Sequence, residues 1–425
     1  MNLIISQDGY NPYLNNPSAT LKASQPQIIH EGKIYTKLSY ELRINTAARL
    51  IKIIQAIAFV ILSCFIALAF QSIRKLWLEG INGAESVDVL MPQGISDCTD
   101  IWMMIGSNLS VSELLVLRTT STHKKVIAEK VLIDRLNSGK ITPDDFRISK
   151  VTALIDFFGD NCCRITKLDL QKFPEITDSD IENLSIHFAN VTHLLLKGSI
   201  ITNESAIHLA KLDHLISLSL SECTKVNDFT FLQNNKLTSL YLSSCIQIKD
   251  FSFLKDCKGL TSLNLTWCKK IKDFSFLKDC QELTSLNLSS CIQINDISSL
   301  QHCKELTSLN LRGCGQINDI SSLQHCKELV SLNLRECGQI EDISFLQHCK
   351  KLTSLDLSWC RQINDFSFLQ HFKELTRLSL ASCKQINDFS FLQHFKELTR
   401  LSLASCKQIN DFSFLQHFKE LTRLS

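Results

Sequence analysis

Nine cysteines recur every 22 or 23 residues, at Cys223, Cys245, Cys268, Cys291, Cys314, Cys337, Cys360, Cys383 and Cys406. Nine aspartates keep step with them from Asp228 to Asp411, and six histidines do so at His302, His325, His348, His371, His394 and His417. Thiolate and imidazole are zinc ligands, and carboxylates supply the acid and base of many enzymes. The spacing argues against both chemistries. Zinc needs four ligands converging tetrahedrally, whereas one thiol per repeat makes a column of parallel side chains. Acid–base catalysis needs carboxylates in different environments, which a row of equivalent ones does not provide. The cysteines read instead as small buried groups whose S–H meets a backbone carbonyl at a turn. Each aspartate reads as the cap of the turn that follows it, accepting otherwise orphaned N–H groups. The histidines fall on the outer, solvent-facing side. The chain shows no nucleophile motif or catalytic triad and no phosphate-cradling glycine loop, and it holds only 13 glycines. It is therefore expected to be no enzyme and to use no cofactor or metal.

These columns exist because the chain repeats. From Leu237 the anchors Leu260, Leu283, Leu306, Leu329, Leu352, Leu375, Leu398 and Leu421 follow at 23-residue intervals. Less regular anchors at Ile165, Val191 and Leu215 precede them. A fixed period of this kind means stacked units, none of which buries its apolar face alone. With the anchor as position 1, leucines at positions 4 and 6 obey the period of a strand with one buried face. Cysteine holds position 9 and isoleucine position 12; positions 15, 18 and 21 are Phe or Ile, Leu, and Cys or Phe. Successive strands must run parallel, about 4.8 Å apart, in a sheet roughly 50 Å long. The returning segment, such as Asp273-Phe-Ser-Phe-Leu277, is short enough to be a 3₁₀ turn. Units 375–397 and 398–420 are identical, which suggests recent duplication, and the array stops at Ser425 partway through a twelfth strand without a polar cap.

This LxxLxLxxC pattern, leading into an I-x-D segment, resembles the cysteine-containing leucine-rich-repeat family over residues 165–425, about 11 units. The resemblance implies an α/β solenoid, a horseshoe with a parallel concave sheet. Positions 2, 3, 5, 7 and 8 should face out from that sheet, and most are Thr, Ser or Asn. The exceptions are Tyr241, Trp267, Arg312, Arg335, Glu336, Trp359, Arg377 and Arg400. Tyr, Trp and Arg are the residues enriched at interface hot spots, so a protein partner on the concave face is expected. The formal net charge of +2 supplies no global field that would draw the chain onto nucleic acid.

Residues 1–45 are rich in Asn, Ser, Pro and Gln, which reads as a disordered tail. A transmembrane helix is expected over 50–75, because 53–70 hold no charge and 53–73 are long enough to span a bilayer. Residues 90–164 read as a small helical domain, with Val151, Leu154, Ile155, Phe157 and Phe158 placed to cap the solenoid. Within it, residues 97–136 resemble an F-box, the three-helix motif that docks on the adaptor subunit of cullin-RING ubiquitin ligases. The residues that carry the likeness are Asp100-Ile101, Ile105, Leu109, Ser112-Glu113-Leu114-Leu115-Val116-Leu117 and Thr120-Ser121. That resemblance implies that Ile101, Ile105, Leu109, Leu114 and Leu117 divide between the motif's own core and the adaptor contact.

Together these features lead us to expect a substrate receptor that presents a bound protein to a cullin-RING ligase. It would be membrane-associated, with its repeats in a reducing, cytosolic compartment. The alternative is a membrane-anchored recognition or adhesion protein with no ligase role. A tail, an anchor and a eukaryote-like module would also suit an effector that an intracellular bacterium sends into its host.

Overall fold

The computed structural model describes residues 106–173, 175–232 and 236–425, together with Met103 and the backbone of six strands between Asn2 and Pro92. The chain divides into two compact units, Met1–Arg147 and Ile148–Ser425.

In the first unit, β1 (Asn2–Ser6), β2 (Gly9–Asn11), β3 (Ala19–Leu21), β4 (Gln27–His30), β5 (Lys33–Leu42) and β6 (Ser86–Pro92) share a sheet. Its order is β2-β1-β6-β5-β3, with β4 also paired to β5. β1 and β6 are parallel, and the other pairs are antiparallel. Residues 1–45 thus carry strands where composition pointed to a disordered tail. The overlooked signal is the alternation of Ile34, Thr36, Leu38, Tyr40 and Leu42 with Lys, Tyr, Ser and Glu, the period of a strand. The expected membrane helix at 50–75 lies outside the described residues. Among the described residues no helix is long and apolar enough to cross a membrane.

Two helices follow, α1 (Val111–Thr120) and α2 (Thr122–Asn137). Ser110 and Glu113 make a reciprocal capping box: Ser110 Oγ accepts the Glu113 N–H at 3.3 Å, and Glu113 Oε2 accepts the Ser110 N–H at 2.6 Å. Such a cap supplies about 1 kcal/mol and fixes where α1 starts. Leu114 and Leu117 of α1 and Ile127, Val131, Leu132 and Leu136 of α2 are buried. The Arg135 guanidinium donates to the carbonyls of Gly106, Ser107 and Leu109 at 3.2, 3.0 and 2.6 Å, tying the preceding turn to α2.

The second unit opens with α3 (Val151–Phe158), which buries Val151, Leu154 and Phe158 and packs against α4 (Asp178–His187) of the first repeat. Residues 148–164 therefore belong with the repeats as their N-terminal cap, and the boundary falls ahead of them, not at 164. Next come β7 (Lys167–Asp169), α4, β8 (His193–Leu195) and a short helix α5 (Ser205–Leu209). β9 (Ser217–Ser219), β10 (Ser239–Tyr241), β11 (Ser262–Asn264), β12 (Ser285–Asn287) and β13 (Ser308–Asn310) continue the series. It ends with β14 (Ser331–Asn333), β15 (Ser354–Asp356), β16 (Arg377–Ser379), β17 (Arg400–Ser402) and β18 (Arg423–Leu424). β7 to β18 form one twelve-stranded parallel sheet in sequence order, with equivalent repeat positions paired in register.

Repeat length decides what lies opposite the sheet. The first anchors, 26 and 24 residues apart, leave room for the helical turns α4 and α5. The shorter units return through 3₁₀ turns such as Ser252–Asp256 and Ser298–His302. Inside one unit, Leu283, Leu286, Leu288, Cys291, Ile294, Ile297, Leu300 and Cys303 are each at most 2 % exposed, so stacking seals the core.

Candidate protein-binding interface

The cysteine and aspartate columns are structural. Cys268, Cys291, Cys314 and Cys337 each donate S–H to the position 6 carbonyl of the preceding unit at 3.1 Å (Leu242, Leu265, Leu288 and Leu311). A second column, Cys280 to Cys349, does the same with position 18 carbonyls, as in Cys326 to Leu300 at 3.5 Å. Burial pushes the Cys268 and Cys314 thiols up to about 12, the reverse of what a nucleophile or metal ligand needs. Among the described residues no cluster of His, Cys, Asp and Glu is disposed to hold a metal ion. The aspartates accept the N–H two residues on: Ser275 donates to Asp273 Oδ1 and Ser367 to Asp365 Oδ1, both at 2.8 Å. Those bonds hold both carboxyls below the usual carboxylate range.

Much of the polar concave face is also turned inward on itself. At position 5, Asn264, Asn287, Asn310 and Asn333 accept the N–H of position 7 at 2.9–3.0 Å, closing side-chain turns at the end of each strand. Position 8 follows in the left-handed region in unit after unit, at Glu222, Ser244, Trp267, Ser290, Gly313, Glu336, Trp359, Ser382 and Ser405. There the chain must leave the strand abruptly so that position 9 can turn inward. Only one of these nine is glycine. A non-glycine residue in this conformation costs about 1 kcal/mol or more, and such strain gathers at functional positions.

Trp267 and Trp359 sit at this turn and remain 48 % and 40 % exposed. Each is braced by a cation two residues on: Lys269 Nζ lies 4.5 Å from the Trp267 ring centroid, and Arg361 Cζ lies 4.9 Å from that of Trp359. An exposed cation–π contact of this kind contributes about 0.5–1 kcal/mol, enough to bias the ring toward one orientation. Position 10 carries these cations only beside the two tryptophans and in the last two complete units, at Lys384 and Lys407, a coincidence readable in the sequence and missed there. Four repeats separate the rings, roughly 19 Å along the rim. Beside Trp267, Ile246 and Ile292 at position 10 of the flanking units are each 48 % exposed, extending an apolar rim.

Arg312, Arg335 and Glu336 form one cluster, with Glu336 3.6 Å from Arg312 and 3.0 Å from Arg335. Tyr241 is half-buried on β10, and Arg377 and Arg400 are exposed neighbours on β16 and β17. The structure thus arranges the expected residues as a strip along the sheet and its rim, not as a pocket. In the first unit, Ile101 and Ile105 lie outside the described residues. Leu109, Leu114 and Leu117 are 8 %, 0 % and 0 % exposed, so all three serve the helices' own core and none is free for an adaptor. Among the described residues of that unit, Val116 and Val126 are exposed large apolar side chains.

Two family profiles match the array. One described as Leucine Rich repeats (2 copies) covers 235–279 and 281–325, and one described as BspA type Leucine rich repeat region (6 copies) covers 312–424. The second unit is a leucine-rich-repeat solenoid, an architecture that binds other proteins and is typically non-enzymatic. Among solved structures it is similar to an internalin (inlF) of Listeria monocytogenes, at 25 % identity over 62 % of this chain and 80 % of that one, with TM-score 0.49. It is also similar to internalin C2 of the same organism (23 % identity, 59 % and 96 % covered, TM-score 0.40). A third is InlJ, again of Listeria monocytogenes, whose functional domain includes a cysteine ladder (19 % identity, 62 % and 63 % covered, TM-score 0.38). No curated protein matches the sequence.

Proposed function

We propose that this chain grips a protein partner along the solenoid's concave face and rim, with Trp267 and Trp359 as its anchors. The observation that supports this reading is the pair of exposed tryptophans, each held in a strained left-handed turn beside its own cation. Aromatic side chains oriented before binding lose little entropy on contact, which is what a hot spot requires. The test is affinity purification with the full chain and with Trp267→Gly/Trp359→Gly. Glycine is chosen because it relieves the left-handed strain while removing the ring, so folding stability stays within about 1 kcal/mol. A specific partner should be lost from the variant; retention of every partner by a folded variant would sink the reading.

The finer proposal is that the α1–α2 segment recruits a cullin-RING adaptor, making the chain a substrate receptor that acts by proximity. With Leu109, Leu114 and Leu117 committed to the helix core, the contact would fall to exposed side chains such as Val116 and Val126. Pulldown of the adaptor by the full chain, and its loss on Val116→Asp, tests this apart from the concave face. Reduced thiols throughout the described cysteines suit a reducing compartment, in the cytosol or in a host cell reached by secretion. A membrane tether at 53–73 rests on composition alone, and protease shaving of intact cells would show whether the repeats lie outside.

A further inference from the structure

At position 3 the concave face changes character near its C-terminal end. β9 to β15 carry serine there (Ser217, Ser239, Ser262, Ser285, Ser308, Ser331 and Ser354). β16, β17 and β18 carry Arg377, Arg400 and Arg423, paired in register, so the three guanidinium stems rise from adjacent strands about 4.8 Å apart. All three are exposed, and among the described residues none is held in an ion pair or side-chain hydrogen bond. This contrasts with Arg312 and Arg335, which share Glu336. Glu374, Glu397 and Glu420 precede the column by three residues on the exposed rim and do not pair with it. Asp356 on β15 is the nearest carboxylate in the sheet register, opposite Ser379, and it accepts the Ser358 N–H at 2.9 Å. Beside the arginines run Ser379, Ser402 and Ser425 at position 5 and Ala381 and Ala404 at position 7. The side chains of that strip are small, and two of its hydroxyls bond to one another (Ser425 Oγ donates to Ser402 Oγ at 2.9 Å), so a ligand can lie flat against it.

We infer that this column is the docking site for an acidic, carboxylate-bearing peptide segment of a protein partner, laid across the strands along the solenoid axis. The inference rests on reading the concave face as a protein-binding surface. Three like charges held unneutralised repel one another, and an oxyanion ligand relieves that repulsion while forming charge-assisted hydrogen bonds. The column spreads its charge along about 10 Å instead of converging on one point. That suits a run of single charges better than one phosphoryl dianion. An extended peptide places same-side side chains about 7 Å apart, so two or three carboxylates span the column.

The probe is a dye-labelled hexaglutamate peptide, with hexaglutamine and a single-stranded DNA oligonucleotide as comparisons, titrated into the full chain and followed by fluorescence anisotropy. Hexaglutamate should bind, more weakly as salt rises, and hexaglutamine should not. Arg377→Ser/Arg400→Ser/Arg423→Ser restores the residue that β9 to β15 carry, so the sheet should form as before, and binding should fall roughly tenfold. The corresponding triple lysine variant should keep most of the affinity. Unchanged hexaglutamate binding by the serine variant, equal binding of hexaglutamine, or binding of the oligonucleotide alone would each overturn the inference. If hexaglutamate fails while the tryptophan variant still loses its partner, only this inference falls. If the arginines bind hexaglutamate but the tryptophan variant loses nothing, the broader reading falls instead.

Discussion

A thiol that donates to a carbonyl inside a stacked core is chemically quiet. Cys314 Sγ lies 3.1 Å from the Leu288 carbonyl oxygen and is fully buried, and its thiol is pushed up to about 12 by desolvation. Among the described cysteines, Cys163 alone is exposed. Brief maleimide treatment of the native chain, read by peptide mass spectrometry, should therefore label Cys163 and spare the columns, which react only once the chain is unfolded. Appreciable native labelling at Cys268 or Cys314 would contradict this. Raised thiol values also have a pH consequence. The stability they reflect is fully present below the ordinary thiol value of about 8.5 and drains away as pH rises toward about 12. The midpoint of urea unfolding should accordingly drop between pH 8 and pH 11.

The 3₁₀ turns depend on their aspartates. Asp365 accepts the Ser367 N–H, and its carboxyl is held down mainly by that bond. A carboxyl lowered in the folded state stabilises above the unfolded value of about 3.9 and loses that contribution as pH falls through the folded value. Asp365→Ala should cost about 1 kcal/mol at pH 7, measured by urea unfolding, and the gap to the parent chain should close below pH 4. A gap that does not narrow at all as pH falls below about 3.9 would assign the cost to packing instead. Such turns were legible in advance because Asp followed two residues later by Ser is local chemistry. The left-handed position 8 was not: Trp, Glu and Ser occupy it as readily as Gly, since the turn is imposed by the strand before it and the buried cysteine after it. Nor was the role of Leu114 and Leu117 visible, because a periodic apolar stripe looks the same whether it meets its own neighbour helix or a partner.

A solenoid's stability is close to a sum over units and their interfaces. Removing residues 375–397, whose sequence is repeated in 398–420, should preserve the register of everything downstream. The shortened chain should keep its circular dichroism spectrum, with a urea m-value lower by about one unit's share of the array. Loss of cooperative unfolding would show that the end units are coupled more tightly than a linear array allows. The deletion also removes Arg377 from the arginine column, so hexaglutamate affinity should weaken as well.

The sequence by itself determined the solenoid. A 23-residue period with leucines at positions 1, 4 and 6 admits only stacked parallel strands, and one cysteine per unit admits only a column. The tertiary structure decided which of those residues are available. It buried Leu109, Leu114 and Leu117, left Trp267 and Trp359 half-exposed beside their cations, paired Arg312 and Arg335 with Glu336, and left Arg377, Arg400 and Arg423 aligned with no ion pair among the described residues. The physical reason is that periodicity fixes which positions face in, whereas exposure and charge balance depend on neighbours 23 residues away in the chain and about 4.8 Å away in space.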